Sequence, residues 1–295
     1  MNFFLQLVVT GIALGMIYAL IAIGFVMITK SSNVFNIAQG HFVMLGGYLG
    51  YTFLVITGFP LWLSILCMIG VAAIMGLIIE RLLLRPLIGQ PIISIIMMTI
   101  ALATIIEGMA TLIWGGQYKT YHDLLPTFSL KIGFVSIPSE PTIGFFISAI
   151  CVGILMIFYR YTKLGLGMRA TAEDLKVAQS FGIRATTVYK VAWVVSFIVG
   201  AIGGLLLGAI SGVMVPLAEI GLKAFTVALF GGVESLGGAV IAGIILGILE
   251  NLASGYLDPL LPRGGFAGVF PFVVMIIVLI IRPYGFFGLK KIERV

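Results

Sequence analysis

The chain has 295 residues, 61% of them hydrophobic and only 9% charged, with 38 glycines and a formal charge of +6. A water-soluble domain of this length carries about a quarter charged residues, so the composition excludes a soluble enzyme and places the chain in a bilayer. The basic residues are scattered rather than clustered, which argues against a nucleic-acid partner. Cys67 and Cys151 each lie inside an apolar run without CxxC or His spacing, which argues against a disulfide or a metal site.

In chain order, the first apolar stretch, Leu7 to Ile28, is uncharged and, at 1.5 Å per residue, long enough to cross about 30 Å of hydrocarbon. No basic segment precedes it, so it reads as a span rather than a cleaved leader. Further runs of spanning length fall near residues 36–56, 62–83, 92–114, 142–160, 188–211, 237–256 and 267–282. Residues 221–233 form a shorter apolar piece that reaches only partway across. The expected fold class is all-α: an integral membrane helical bundle of about eight spans plus a short re-entrant or broken helix, with an inverted repeat as an option, in a single transmembrane domain over 1–295.

Basic residues set the expected orientation. With the N-terminus outside, the inner segments hold Lys30, Arg81, Arg85, Arg160, Lys163, Arg169, Lys176, Arg184, Lys190, Arg282, Lys290, Lys291 and Arg294, thirteen of the seventeen. Lys119, Lys131, Lys223 and Arg263 are left outside or near the outer face. This positive-inside asymmetry predicts N-out, C-in. The outer loop of about 115–141 and the segment 256–265 are rich in aromatics, Pro and Gly, which suits either a cap with a docking surface or simple interfacial packing. Residues 40–51 (GHFVMLGGYLGY) and 231–243 (GGVESLGGAVIAG) share a Gly-Gly pair shortly after a Gly that opens a polar break. Inverted repeats with interrupted helices line many transport pathways. In a glycine-rich chain, coincidence is the competing explanation.

Polar groups inside apolar runs are costly and so mark candidate pathway residues. Asn33, Asn36, Gln39 and His41 precede or open the second run beside Gly40, and a polar, glycine-rich helix start can line an aqueous cavity. Helix capping, by Asn36 in particular, is the alternative, and His41 alone reads as a hydrogen-bonded structural residue. Glu107 lies about two-thirds along the fourth run and Glu250 late in the 237–256 run, each either facing water or neutralised within the bundle. Glu234, between Gly231, Gly232 and Gly237, Gly238, sits at the break after the short piece and is the gate candidate that spacing singles out, against a satisfied helix-terminus carboxylate. No Walker A, GxSxG, HExxH or His/Cys cluster is present, so no catalysis, cofactor or metal is expected in this chain.

One polar segment, 167–190, interrupts the oil. Thr171 with Asp174 three residues on forms a capping-box pattern and Gly182 a stop, which predicts a short helix over 172–181. Ala172, Leu175 and Ala178 recur at three-residue spacing with Phe181 beyond, giving one small apolar face suited to a groove on another protein. A solvated connecting loop is the plainer alternative.

The stretch RATAEDLKVAQSFGI (169–183) resembles the EAA-like cytoplasmic loop of ABC-importer permeases in the version of the branched-chain amino-acid permease family. IYALIAIGFVMITKSSNVFNIAQGHFVMLGGYLGY (17–51) and KAFTVALFGGVESLGGAVIAGIILGILE (223–250) are similar to that family's N- and C-terminal signatures. Length and short tails look like the LivH type. The resemblance implies a prokaryotic inner-membrane permease subunit importing branched-chain or related hydrophobic amino acids. It would work with two cytoplasmic ABC ATPases that hold ATP and Mg, a second, LivM-type permease, and an extracytoplasmic substrate-binding protein. Arg169, Ala172, Glu173, Asp174, Leu175, Ala178, Gly182 and Ile183 would then form the ATPase-coupling helix within a coupling loop of about 161–187. A urea or short-amide importer is the neighbouring reading. An ATPase-independent channel or secondary transporter is the alternative from another class.

Overall fold

A computed structural model of the chain describes residues 2–32, 34–87, 90–121, 128–132, 135–261, 265–282 and 285–288. Among them the long helices are α1 (Asn2–Ser32), α3 (Leu61–Ile79), α4 (Ile92–Trp114), α5 (Ser139–Tyr161), α8 (Ala185–Ser211) and α10 (Leu236–Tyr256). Each of these six is long and apolar enough to cross a membrane. Shorter ones are α2 (Gln39–Tyr51), α6 (Lys163–Glu173), α7 (Leu175–Ser180), α9 (Ile220–Gly231) and α11 (Phe266–Ile281). A two-stranded antiparallel hairpin, β1 (Ser129–Ile132) with β2 (Val135–Pro138), fills part of the loop expected to be an outer cap.

The core is organised around α1, whose residues Ile17 to Ile28 are almost all buried. Without a hydrophobic drive between helices in lipid, close backbone approach carries the association, and small residues permit it. Gly11 and Gly15 of α1 face Gly247 and Gly243 of the antiparallel α10 so closely that a Cβ on any of them would overlap backbone across the seam. On the other flank α8 receives α2 and α3: Gly46 meets Ala201, Gly204 meets the Val43 carbonyl, and a Cβ on Gly76 would lie 2.9 Å from Val194 Cα.

The bundle is mirrored about its middle. Helix α1 is followed by a non-helical link and the half-helix α2, and α8 is followed by residues 212–219 and the half-helix α9. The two half-helices begin against each other, Gly40 on Ala218 and Gly221. This start lies deep in the bundle, since Gln39 hydrogen-bonds Ser196 partway along α8. The expected second span over 36–56 is therefore corrected: residues 34–38 re-enter without helical structure, α2 starts midway, and a π-helical turn over Thr52–Ile56 completes it. The link carries Asn36 among four apolar residues and borders a cavity; irregular backbone is tolerated at that depth only when buried in protein or lining such a cavity. The short piece at 221–233 is, as expected, a half-helix. The Gly-Gly echo is corrected too: Gly40 is paired in space with Gly221, whereas Gly231 and Gly232 lie at the far end of α9.

The two ends of the bundle differ. One carries the start of α1, the hairpin, where Gln6 donates to the Ser136 carbonyl, and the Lys119–Val213 backbone bridge. The other carries Lys30, the α6–α7 unit, the α9–α10 turn and the end of α11, where Phe286 N donates to the Phe230 carbonyl. Lys223, expected near the outer face, instead sits within the bundle, its Nζ 2.5 Å from Glu250 Oε1. Arg263, Lys290, Lys291 and Arg294 lie outside the described residues.

Candidate functional site: a groove where two half-helices meet

Beside the α2–α9 contact lies a cavity of about 530 Å³ lined by Phe25, Phe35, Asn36, Ile37, His41, Glu107, Val215, Pro216, Ala218, Glu219, Gly221, Leu222 and Phe225. The re-entrant link brings Phe35 to Ile37 here, α2 adds His41, α4 adds Glu107, and the 212–219 link with α9 adds the rest. Phe25, Phe35 and Phe225 form one aromatic cluster with centroid separations of 5.1 to 6.3 Å. His41 Nε2 is 3.5 Å from Glu107 Oε2, a pair that is ionic only when the imidazole is protonated. Glu107 is half exposed. Glu219 is exposed, caps nothing at the start of α9 and has no ion-pair partner among the described residues.

Asn36 and Gln39 are both buried; Asn36 borders the cavity, whereas Gln39 braces its wall from behind. Asn36 Oδ1 accepts from Ala38 N at 3.1 Å and Nδ2 donates to Gln39 Oε1, which also accepts the Ser196 hydroxyl at 2.7 Å. The capping alternative for Asn36 takes the form of a turn before α2 rather than a cap on it, since Ala38 occupies the N-cap. Asn33 lies outside the described residues. Gly40 matters by having no side chain, because Ala218 O occupies the space of a Cβ.

The remaining candidates are elsewhere. Gly231, Gly232, Glu234, Gly237 and Gly238 belong to the α9–α10 turn, where Gly231 and Gly238 touch through their backbones and Gly232 adopts a φ of 93°. The Glu234 carbonyl accepts Lys30 Nζ at 2.7 Å. Glu250 is neutralised inside the bundle by Lys223. The signals missed in the sequence are Glu219, which falls in the gap between two apolar runs and reads as an ordinary loop charge, and the three phenylalanines, which carry no contrast in so apolar a chain.

At the α6–α7 end the expected helix over 172–181 is corrected. Thr171 is interior to α6, its hydroxyl donating to the Gly167 and Met168 carbonyls, and Ala172 and Glu173 complete that helix. Asp174 is the true N-cap, accepting from Lys176 N and Val177 N at 2.8 and 3.0 Å, so α7 starts with Leu175. Its short polar side chain serves the turn better from the extended backbone at Asp174 than Thr171 could from within a continuous helix. Gly182, at φ 83°, stops the chain as expected, with Ile183 N donating to the Ala178 carbonyl. Ala178 is buried against its own loop, and the outward apolar residues are Val177 and Phe181, the latter 82% exposed. Arg169 anchors the unit to the bundle: it donates to the Arg160 carbonyl, and its guanidinium and Lys30 Nζ both lie over the Tyr159 ring at 5.8 and 5.4 Å.

Comparison with known proteins agrees with this architecture. The family described as branched-chain amino acid transport system / permease component matches residues 7–279. The high-affinity branched-chain amino acid transport system permease protein LivH of Escherichia coli K12 is 31% identical over 316 residues, covering 99% of this chain and 98% of its own. BraD of Pseudomonas aeruginosa is 30% identical with the same coverage, and the probable permease LivH of Methanocaldococcus jannaschii is 31% identical, covering 93% of this chain and 90% of its own. The fold resembles PsaBC from Streptococcus pneumoniae, solved in complex with a Fab, at a TM-score of 0.51 and 14% identity, covering 96% of this chain and 93% of that one. A polytopic bundle with re-entrant half-helices, matched by one family over nearly its whole length, belongs to the permease components of branched-chain amino acid transport systems.

Proposed function

We propose that the chain is the membrane subunit of an ABC importer for branched-chain or related hydrophobic amino acids, driven by ATP hydrolysis on separate subunits. The α6–α7 unit carries this reading: a capped, glycine-stopped helix that holds Val177 and Phe181 outward has the form of a knob for a groove on another protein. Its anchor is a rigid one, Arg169 and Lys30 clasping Tyr159, and the same Lys30 holds the α9–α10 turn. A push on α7 therefore has a short route to the half-helix α9 and from there to the groove, as two-state coupling requires.

In this reading the α6–α7 end faces the cytoplasm. Lys30, Arg81, Arg85, Arg160, Lys163, Arg169, Lys176, Arg184, Lys190 and Arg282 gather there, as the positive-inside rule demands. The N-terminus and the hairpin then face outside, toward a substrate-binding protein. The groove is completed by a second permease, because exposed Glu107 and Glu219 at mid-depth are costly against lipid. The chain takes no part in ATP chemistry and holds no cofactor.

The test is Phe181→Asp, at a residue too exposed to support the fold. ATP-dependent leucine uptake and co-purification of ATPase activity on a tag carried by this chain are both expected to be lost, with the thermal transition unchanged. Uptake that persists undiminished, or that needs no ATPase at all, overturns the reading in favour of a channel or secondary transporter.

A further inference from the structure

We propose that the groove is a recognition site within the pathway for the ammonium group and apolar side chain of an α-amino acid, with Glu219 and Glu107 receiving the ammonium and the Phe35–Phe225–Leu222 wall the side chain. This deepens the importer reading and rests on it.

Placement makes the first argument. The groove opens where α2 and α9 begin, at the level of the Gln39–Ser196 hydrogen bonds inside the bundle, far from either end. Ionisable groups at such depth face a protein partner or an aqueous route. Lys223 and Glu250, the other charged pair in this half of the bundle, offset each other's charge through Glu250 Oε1. Glu219 has no such offset: its side chain neither caps α9 nor pairs with a cation among the described residues. The only cationic candidate among the groove-lining residues is His41, and it is engaged with Glu107. Among the described residues of this chain, the groove therefore holds two carboxylates against one imidazole, an excess of negative charge even with His41 protonated, and low-dielectric walls focus that charge on whatever enters.

Chemistry selects the occupant. A neutral solute such as urea or a short amide gains little from a net negative charge, and an organic anion without an ammonium group is repelled. A zwitterion with an oily side chain is matched on both counts: its cation meets carboxylates and aromatic faces, and its hydrocarbon meets Phe25, Phe35, Ile37, Leu222 and Phe225. A volume of about 530 Å³ admits such a molecule with some water.

The experiment is a protection assay on the assembled transporter in proteoliposomes, with Leu222→Cys as the reporter and Ile37→Cys as a second reporter on the rim. Leucine is expected to slow modification of the introduced thiol by a small water-soluble thiosulfonate, while urea, acetamide and 4-methylpentanoate are not. Adding Glu219→Gln is expected to weaken that protection by about tenfold in leucine concentration, the scale of one charge-assisted contact, and Glu219→Asp to restore most of it. If leucine fails to protect either reporter while ATP-driven leucine uptake remains intact, the recognition site is wrong and the importer reading stands. If urea or acetamide protects as well as leucine, the amino-acid assignment of the groove falls. If the transporter without any of these substitutions shows no ATP-driven leucine uptake, the importer reading falls with it.

Discussion

The seam between α1 and α10 and the crossing of α2 with α9 are both made by glycine, yet they are different kinds of contact. Along the seam, Gly11, Gly15, Gly243 and Gly247 keep two long helices in backbone contact over about two turns, and nothing in that register can move without opening all of it. At the crossing, Gly40 and Gly221 bring two helix starts together at a single point, with a non-helical link behind α2, a 3-10 turn over Val215–Glu219 behind α9 and a cavity alongside. The same residue type thus builds a rigid spine in one place and a pivot in the other. Repetition along the axis makes the difference.

The sharpest way to break that comparison is on the spine. Gly247→Val would place branched carbons into Gly11 and Gly15, and with backbone on both sides neither helix can yield. We expect a loss above about 4 kcal/mol, in the exceptional range for one substitution, read as failure to recover a monodisperse protein from detergent. Next is the tie between the two regions. Lys223→Met leaves the half-buried Glu250 carboxylate without its cation, and the loss is expected to fall below the figure of about 3–5 kcal/mol for a fully buried pair; the double change with Glu250→Gln is expected to recover most of the thermal transition. Smallest is the pivot itself. Gly40→Ala overlaps the Ala218 carbonyl and the Gly221 backbone, but it adds one methyl at one crossing rather than along a repeated seam, so a penalty of about 1–3 kcal/mol for overpacking is expected. The protein should fold and transport slowly. A Gly40→Ala variant as damaged as Gly247→Val would mean that the crossing is spine as well.

Helix positions were largely legible in the sequence because the bilayer leaves few alternatives: the run at 92–114 is α4 to the residue, and the short piece at 221–233 is α9. What composition could not reveal was the re-entrant link at 34–38. Hydropathy registers burial in protein and burial in lipid alike. The groove was half legible for a related reason. Asn36, His41 and Glu107 stand out as polar groups among apolar neighbours, whereas Phe25, Phe35 and Phe225 are indistinguishable from many other apolar residues until the fold gathers them. Glu219 was hidden by the opposite error, since a charge between two apolar runs reads as a surface loop until the link carrying it is seen to fold inward. In the α6–α7 unit Asp174 and Gly182 were readable as punctuation, but the helix start moved, because a capping pattern does not reveal that the preceding residues are already helical.

The mirrored half-helices also constrain how the protein can be made. Helix α2, Gln39–Tyr51, is too short to be released into a bilayer as a span, and its buried partners Ser196, Gly200 and Ala201 are synthesised some 150 residues later. Until α8 emerges from the ribosome, the Gln39 amide lacks its Ser196 partner. The nascent chain must wait at the interface or be sheltered by an insertase, and the finished bundle is reached by tucking α2 inward after translation has passed it.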